Sequence, residues 1–119
     1  MKRRLKPGIK HSVNTKAKSG EVWFAELGMV AKDRPVLVLY YPNRENARAL
    51  AIVAPLTSQM RSQPGEVALG HPSWLPKPSA VNIQGLASID RHKLTRRLGK
   101  LTVDQFDSVK DALRELLAL

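Results

Sequence analysis

Apolar and polar positions along this chain alternate in short runs, most of them too brief for helices. "GEVWFAEL" (20–27) sets Val22, Phe24 and Leu27 on one side and Glu21 and Trp23 on the other. That is the period of a half-buried strand. "RPVLVLYY" (34–41) and "ALAIVAPL" (49–56) are nearly continuous apolar runs, which predict central strands covered on both faces. The polar bend that starts at Pro42 makes them an antiparallel pair. Pro35 brings no backbone donor, so it belongs at the first residue of its strand or on an edge. "QPGEVAL" (63–69) predicts a Pro-Gly turn and a short strand, and "GHPSWLPKPS" (70–79), with three prolines, an ordered loop. "AVNIQ" and "LASI" are short strands parted by a bulge or bend at Gly85. "RHKLTRRLGKL" (91–101) fits a strand or a turn.

The C-terminus carries the one helical signature. Thr102 followed by Gln105 forms a capping box, in which each side chain satisfies an orphan backbone donor. Asp104 stands in the first turn, where negative charge suits the helix dipole. Val103, Phe106, Val109, Leu113, Leu116 and Leu117 then recur at helical spacing and predict a face packed on the sheet. The elements add up to a mainly β chain with α: a small β-barrel of five to seven strands and a C-terminal amphipathic helix. Structure is expected from about Gly20, giving a basic, flexible arm over 1–19 and one domain over 20–119.

Charge sharpens that division. The 119 residues carry a net charge of +10, yet residues 1–20 hold seven Lys or Arg and no acid, against thirteen basic and ten acidic residues in the rest. Most of the excess therefore sits on the arm, a handle for polyanions such as nucleic acid, an acidic partner or a membrane surface. A solvated leader is the plain alternative. No apolar segment of about 7–15 residues follows these charges, as a secretory signal would need. The longest apolar runs fall far short of the ~18–20 residues that span a bilayer. The chain has no cysteine, which excludes a disulfide framework and thiolate catalysis.

Several chemistries are missing from the pattern. His11, His71 and His92 share no ligand spacing, so no metal site is expected. Neither a phosphate-binding glycine loop nor a Gly-x-Ser-x-Gly elbow is present. What remains is Arg34 at the start of one strand and Thr57 and Ser58 at the end of the next. A guanidinium fork matches a phosphate, and hydroxyls can donate to the same oxygens. The plainer reading has Arg34 paired to Asp33 and the hydroxyls capping a turn.

The series "GEVWFAEL", "RPVLVL", "VAPLTS", "VNIQGLASIDRHKL", "RLGKL" and a final helix resembles the MazF/PemK family of toxin endoribonucleases over about 20–119. The resemblance implies an SH3-like barrel, usually a homodimer, in the cytoplasm. It implies metal-independent cleavage of single-stranded RNA, needing no cofactor: the 2′-hydroxyl attacks the adjacent phosphorus, leaving a cyclic phosphate and a 5′-hydroxyl. Arg34 matches the family arginine that steadies the phosphorane and helps protonate the leaving oxygen. Thr57 matches the threonine that hydrogen-bonds a phosphate oxygen. Ser58, Gln84, Arg61 and Asp33 are the expected substrate contacts. An acidic antitoxin protein is the implied partner, with no membrane. A paired sheet edge built from the Leu37–Tyr41 strand, or the terminal helix, is the expected dimer interface.

The departures are specific. The loop before Arg34 is short and offers Asp33 and Lys32 where many members carry a glutamate-bearing motif. Ile83 and Leu86 replace an acid and an arginine found in other members. A general base is left to Asp33, Glu21 or His71. These gaps keep two alternatives open: a growth inhibitor of the same fold that grips a protein target as gyrase poisons do, and an RNA-binding module without turnover. Trp23 and Trp74 can stack on bases, although tryptophans of small barrels more often serve core or interface.

Overall fold

The computed structural model describes residues 16–28, 33–42 and 49–119. Most of the basic arm, Lys32 and most of the polar bend lie outside the described residues. The described residues form seven strands: β1 (Glu21–Ala25), β2 (Arg34–Tyr40), β3 (Leu50–Thr57), β4 (Glu66–Gly70), β5 (Ser79–Asn82), β6 (Ala87–Asp90) and β7 (Leu94–Lys100). Among them one α-helix, α1 (Val103–Leu117), follows the strands. The strand order is β4-β5-β3-β2-β1-β7, with β6 also on β3 and every pairing antiparallel. Strand number and helix agree with the sequence, but the sheet does not close, since β4 and β7 stand at opposite ends of its path.

Cross-strand register explains why the central runs are apolar throughout. Val22, Leu37 and Ala54 face each other across β1, β2 and β3, and all three are buried in one core with Leu56, Val81, Ile83 and Val109. Their neighbours Trp23, Val36, Val38 and Val53 point the other way into a second core with Ala17, Ala25, Ala51 and Leu94. Successive side chains of a strand alternate between faces, so two covered faces demand an uninterrupted apolar run. This corrects the expected pattern of β1. Trp23 is buried rather than solvent-facing, its indole N–H donating to Glu21 Oε1 at 3.0 Å, while Phe24 is half-buried under the Arg96 guanidinium. Register shifts between β1 and β7 on both sides of the Trp23–Phe24 pair break the simple alternation.

The fold takes in residues ahead of Gly20. Ala17 is buried, and the Ser19 hydroxyl donates to the Leu39 carbonyl, so the last residues assigned to the arm belong to the fold. Glu21 fastens this entry: its carboxylate accepts from the Lys18 N–H and the Trp23 indole and pairs with Arg97 at 3.0 Å. Burial pushes its pKa up, but the donors from Trp23, Lys18 and Arg97 outweigh burial and hold it below its ordinary 4.5. A lowered folded-state pKa stabilises the fold above the ordinary value and is lost as pH falls through it. Glu21→Gln therefore weakens the protein near neutrality and flattens its acid-side loss of melting temperature. Thermal melts between neutral pH and pH values below 4.5 check this.

Turns follow their residues. Pro64 and Gly65, with Gly65 at φ +87°, form a tight turn closed by Glu66 N–H donating to the Gln63 carbonyl. Gly85 ends a 3₁₀ turn (Ile83–Gly85) that carries the chain from β5 to β6 over β3. A Cβ there would come within 2.6 Å of the Pro55 ring. Pro55 lies where β3 exchanges one neighbour for the other: β6 pairs with Leu50–Val53, and β5 with Leu56 and Thr57. A second 3₁₀ turn (Arg91–Lys93), capped by the Asp90 carboxylate, leads into β7. The expected capping box of α1 is formed in both directions. The helix buries less than its spacing promised: Val109 is wholly enclosed and Phe106 and Leu113 partly so, while Val103, Leu116 and Leu117 are exposed. Leu116 still lies against the Gly65 turn, whereas Val103 faces solvent. No described helix is long and apolar enough to cross a membrane.

Candidate active site

Arg34 opens β2 and Thr57 closes β3. The β2–β3 register pairs Val36 with Pro55, Leu37 with Ala54 and Val38 with Val53. Carried two residues further, it sets Arg34 opposite Thr57. Alternation puts Arg34 on the face of Val36 and Val38, and Thr57 on that of Pro55 and Val53, so both side chains leave the same face. The two rigid strand ends thus bring a permanent cation and a hydroxyl to one place. Both line a surface cleft of about 670 Å³.

Each group is free for a ligand in its own way. Asp33 does not neutralise Arg34: its Oδ1 accepts the Leu27 N–H at 3.1 Å, and Arg34 enters no ion pair among the described residues. The Thr57 hydroxyl accepts the Gln59 N–H at 3.1 Å, closing the turn after β3. That bond occupies a lone pair and leaves the hydroxyl proton to donate elsewhere. The turn-capping role weighed from sequence is real, and it makes Thr57 a better-aimed donor.

Of the other expected contacts, Asp33 and Ser58 line the cleft, and Arg61 and Gln84 do not. The Gln84 amide donates to the Pro64 carbonyl at 2.9 Å, tying the 3₁₀ turn to the turn before β4. Arg61 is exposed in that same connection, where its N–H and that of Ser62 donate to the Glu66 carboxylate. Among the three candidate bases only Asp33 reaches the cleft. Glu21 is committed to Trp23 and Arg97, and one His71 ring nitrogen lies 3.0 Å from the Leu75 carbonyl. Ile83 is a core residue. Trp23 is buried and closed to bases, while Trp74 is half-buried with its indole against Gly99. Gln59, Lys77 and Ser79 complete the polar lining and were not singled out from sequence. The signal for Lys77 was its place between two prolines in "LPKPS".

Among the described residues no three His, Asp or Glu side chains gather as metal ligands would. The edge expected for self-pairing is corrected as well. β2, which holds Leu37–Tyr40, is flanked by β1 on one side and β3 on the other, so it has no edge to give. Leu116 and Leu117 at the end of α1 are exposed.

Comparison with known proteins places this geometry. Residues 18–117 match the family described as PemK-like, MazF-like toxin of type II toxin-antitoxin system. The chain is 35% identical over 95 residues to the probable endoribonuclease MazF5 of Mycobacterium tuberculosis, covering 79% of this chain and 86% of the relative. It is 32% identical over 108 residues to the endoribonuclease MazF2 of Mycobacterium bovis, covering 83% and 95%. A mycobacterial endoribonuclease solved in complex with its cognate antitoxin superposes with a TM-score of 0.70 at 28% identity, covering 84% of this chain and 93% of that one. With 100 of its residues matched and its strand ends carrying the cation and hydroxyl in register, the chain belongs to the PemK/MazF-like toxins of type II toxin-antitoxin systems.

Proposed function

We propose that the protein is a toxin endoribonuclease that cleaves single-stranded RNA without a metal ion, leaving a 2′,3′-cyclic phosphate and a 5′-hydroxyl. The observation that carries this reading is the shared cleft of Arg34 and Thr57, at adjoining ends of two paired strands. Attack of the 2′-oxygen on phosphorus concentrates negative charge on the non-bridging oxygens. Arg34 offers two parallel N–H donors to those oxygens and Thr57 its free hydroxyl proton, both carried on paired strand ends that are in place before the substrate arrives. Preorganised donors of this kind each lower a barrier by roughly 3–4 kcal/mol. Asp33 takes the proton of the attacking hydroxyl, the departing 5′-oxygen is hydrogen-bonded by Arg34 and takes its proton from solvent water in the open cleft, and Ser58 steadies the same phosphate.

The relatives' names support RNA as the substrate, and the antitoxin complex of a structural neighbour supports silencing by a partner protein. Here that partner is an acidic antitoxin. The basic residues ahead of Ala17 add sequence-independent attraction for RNA, and the active species is a cytoplasmic homodimer that uses the exposed end of α1. The test is purified protein with a long RNA in EDTA, followed by mapping of the ends. Cuts that persist in EDTA and carry 5′-hydroxyl termini are expected. Intact RNA despite measurable binding would overturn the reading in favour of a non-catalytic module of the same fold.

A further inference from the structure

The wall of the cleft facing the two strand ends is the loop between β4 and β5, and its polar group in the cleft is Lys77. This loop is exposed and irregular, yet it is held from several directions. Leu75 is buried in the first core, and its N–H donates to the Pro72 carbonyl. A His71 ring nitrogen lies 3.0 Å from the Leu75 carbonyl, and the Trp74 ring lies so close to Gly99 that no Cβ would fit between them. Pro76 and Pro78 fix their own φ and push Leu75 and Lys77 toward extended backbone. The buried Ser79 hydroxyl then donates to the Lys77 carbonyl at 3.1 Å. Trp74 and Leu75 anchor the loop on the first core ahead of Lys77, and the Ser79 bond holds it from behind, so Lys77 is positioned from both sides. The β3–β5 register pairs Thr57 with Ala80, so Lys77 lies three residues before the partner of Thr57, and both residues line the cleft.

From this juxtaposition we infer that Lys77 is a second phosphate-binding cation of the cleft, gripping the RNA backbone next to the phosphodiester that Arg34 and Thr57 engage. The inference deepens the nuclease reading and rests on it. The cleft is lined by two cations and one acid, Arg34 and Lys77 against Asp33, so a polyanion is the chemistry it fits. A compact ammonium on a flexible stem suits a phosphate held as a point charge, while the planar fork of Arg34 suits the reacting one. Lys77 thereby contributes to binding in the ground state and the transition state alike, which affects KM and leaves kcat.

The experiment compares wild type, Lys77→Ala, Lys77→Arg and Lys100→Ala, the last an exposed lysine of β7 outside the cleft. Binding is read with a mixed-sequence 2′-O-methyl RNA 10-mer, which lacks the attacking hydroxyl, and turnover is read on ordinary RNA. Lys77→Ala is expected to raise Kd and KM about tenfold with kcat within about twofold. Its log Kd against log salt slope should be smaller by about 0.7, the value for one neutralised charge on a single strand. Lys77→Arg restores most of the affinity, and Lys100→Ala behaves as wild type. An unchanged Kd and salt slope in Lys77→Ala, with wild type cleaving, overturns the inference and spares the nuclease reading. A fall in kcat with KM unmoved overturns it too. Loss of cleavage in wild type, with the binding difference intact, condemns the nuclease reading alone.

Discussion

Arg34→Ala is expected to lower the single-turnover rate of RNA cleavage by about 10²–10³-fold while leaving the melting temperature nearly unchanged. The rate falls because no other described group supplies two parallel charged donors at the end of β2. Stability holds because Arg34 has no acidic partner among the described residues that truncation would strand, and its backbone pairing with Ala25 is independent of the side chain. Arg34→Lys keeps the charge and loses the fork, so it falls between the two. Single-turnover assays at saturating protein, beside thermal melts, check both halves. An Arg34→Ala enzyme cleaving within a few-fold of wild type would remove Arg34 from the chemistry.

Leu37→Ala is expected to cost about 3 kcal/mol, within the range of 2–5 for buried leucine truncations. Leu37 is fully enclosed on the middle strand of the first core, between Val22 of β1 and Ala54 of β3. Both neighbours are backbone-paired, so the site collapses poorly around the lost side chain. At about 4–8 °C per kcal/mol for a domain of this size, melting should drop by more than about 10 °C. Val103→Ala on the exposed first turn of α1 should stay within about 0.5 kcal/mol. Equal shifts for the two variants, read by thermal or urea melts, would contradict the two-core description. The effect also reaches function, because Leu37 lies three residues from Arg34 on the strand that aims it.

Much of this architecture was legible because local residues decide it. The capping box at Thr102 and Gln105, the Pro64–Gly65 turn and the uninterrupted apolar runs of β2 and β3 each carry their own cause. What escaped depended on residues distant in sequence. Trp23 turned inward because a second core, closed partly by Ala17 and Leu94, covers the face that alternation alone assigns to solvent. The apolar stripe of α1 is only partly covered because helical period says nothing of how much of the fold lies against it. The sheet stays open because β4 and β7 end without meeting, and no short window encodes closure.

The site divides in the same way. Arg34, Thr57, Ser58 and Asp33 were readable from strand ends flanking an antiparallel pair, and they line one cleft. Gln84 and Arg61 lay close in sequence to cleft elements, but Gln84 is spent on the Pro64 carbonyl and Arg61 stands on the outer connection. Lys77 reaches the cleft through a loop whose course is set by Trp74 on Gly99, a contact twenty-five residues apart in sequence.

The central claim is that Arg34 and Thr57 act as a unit on one phosphodiester. The direct measurement is a double-mutant cycle on the single-turnover cleavage rate with Arg34→Ala, Thr57→Val and the pair. If the two stabilise the same developing charge, the double variant is slowed scarcely more than the slower single one. Losses that simply multiply would show two groups working independently, and the shared phosphate site would be wrong.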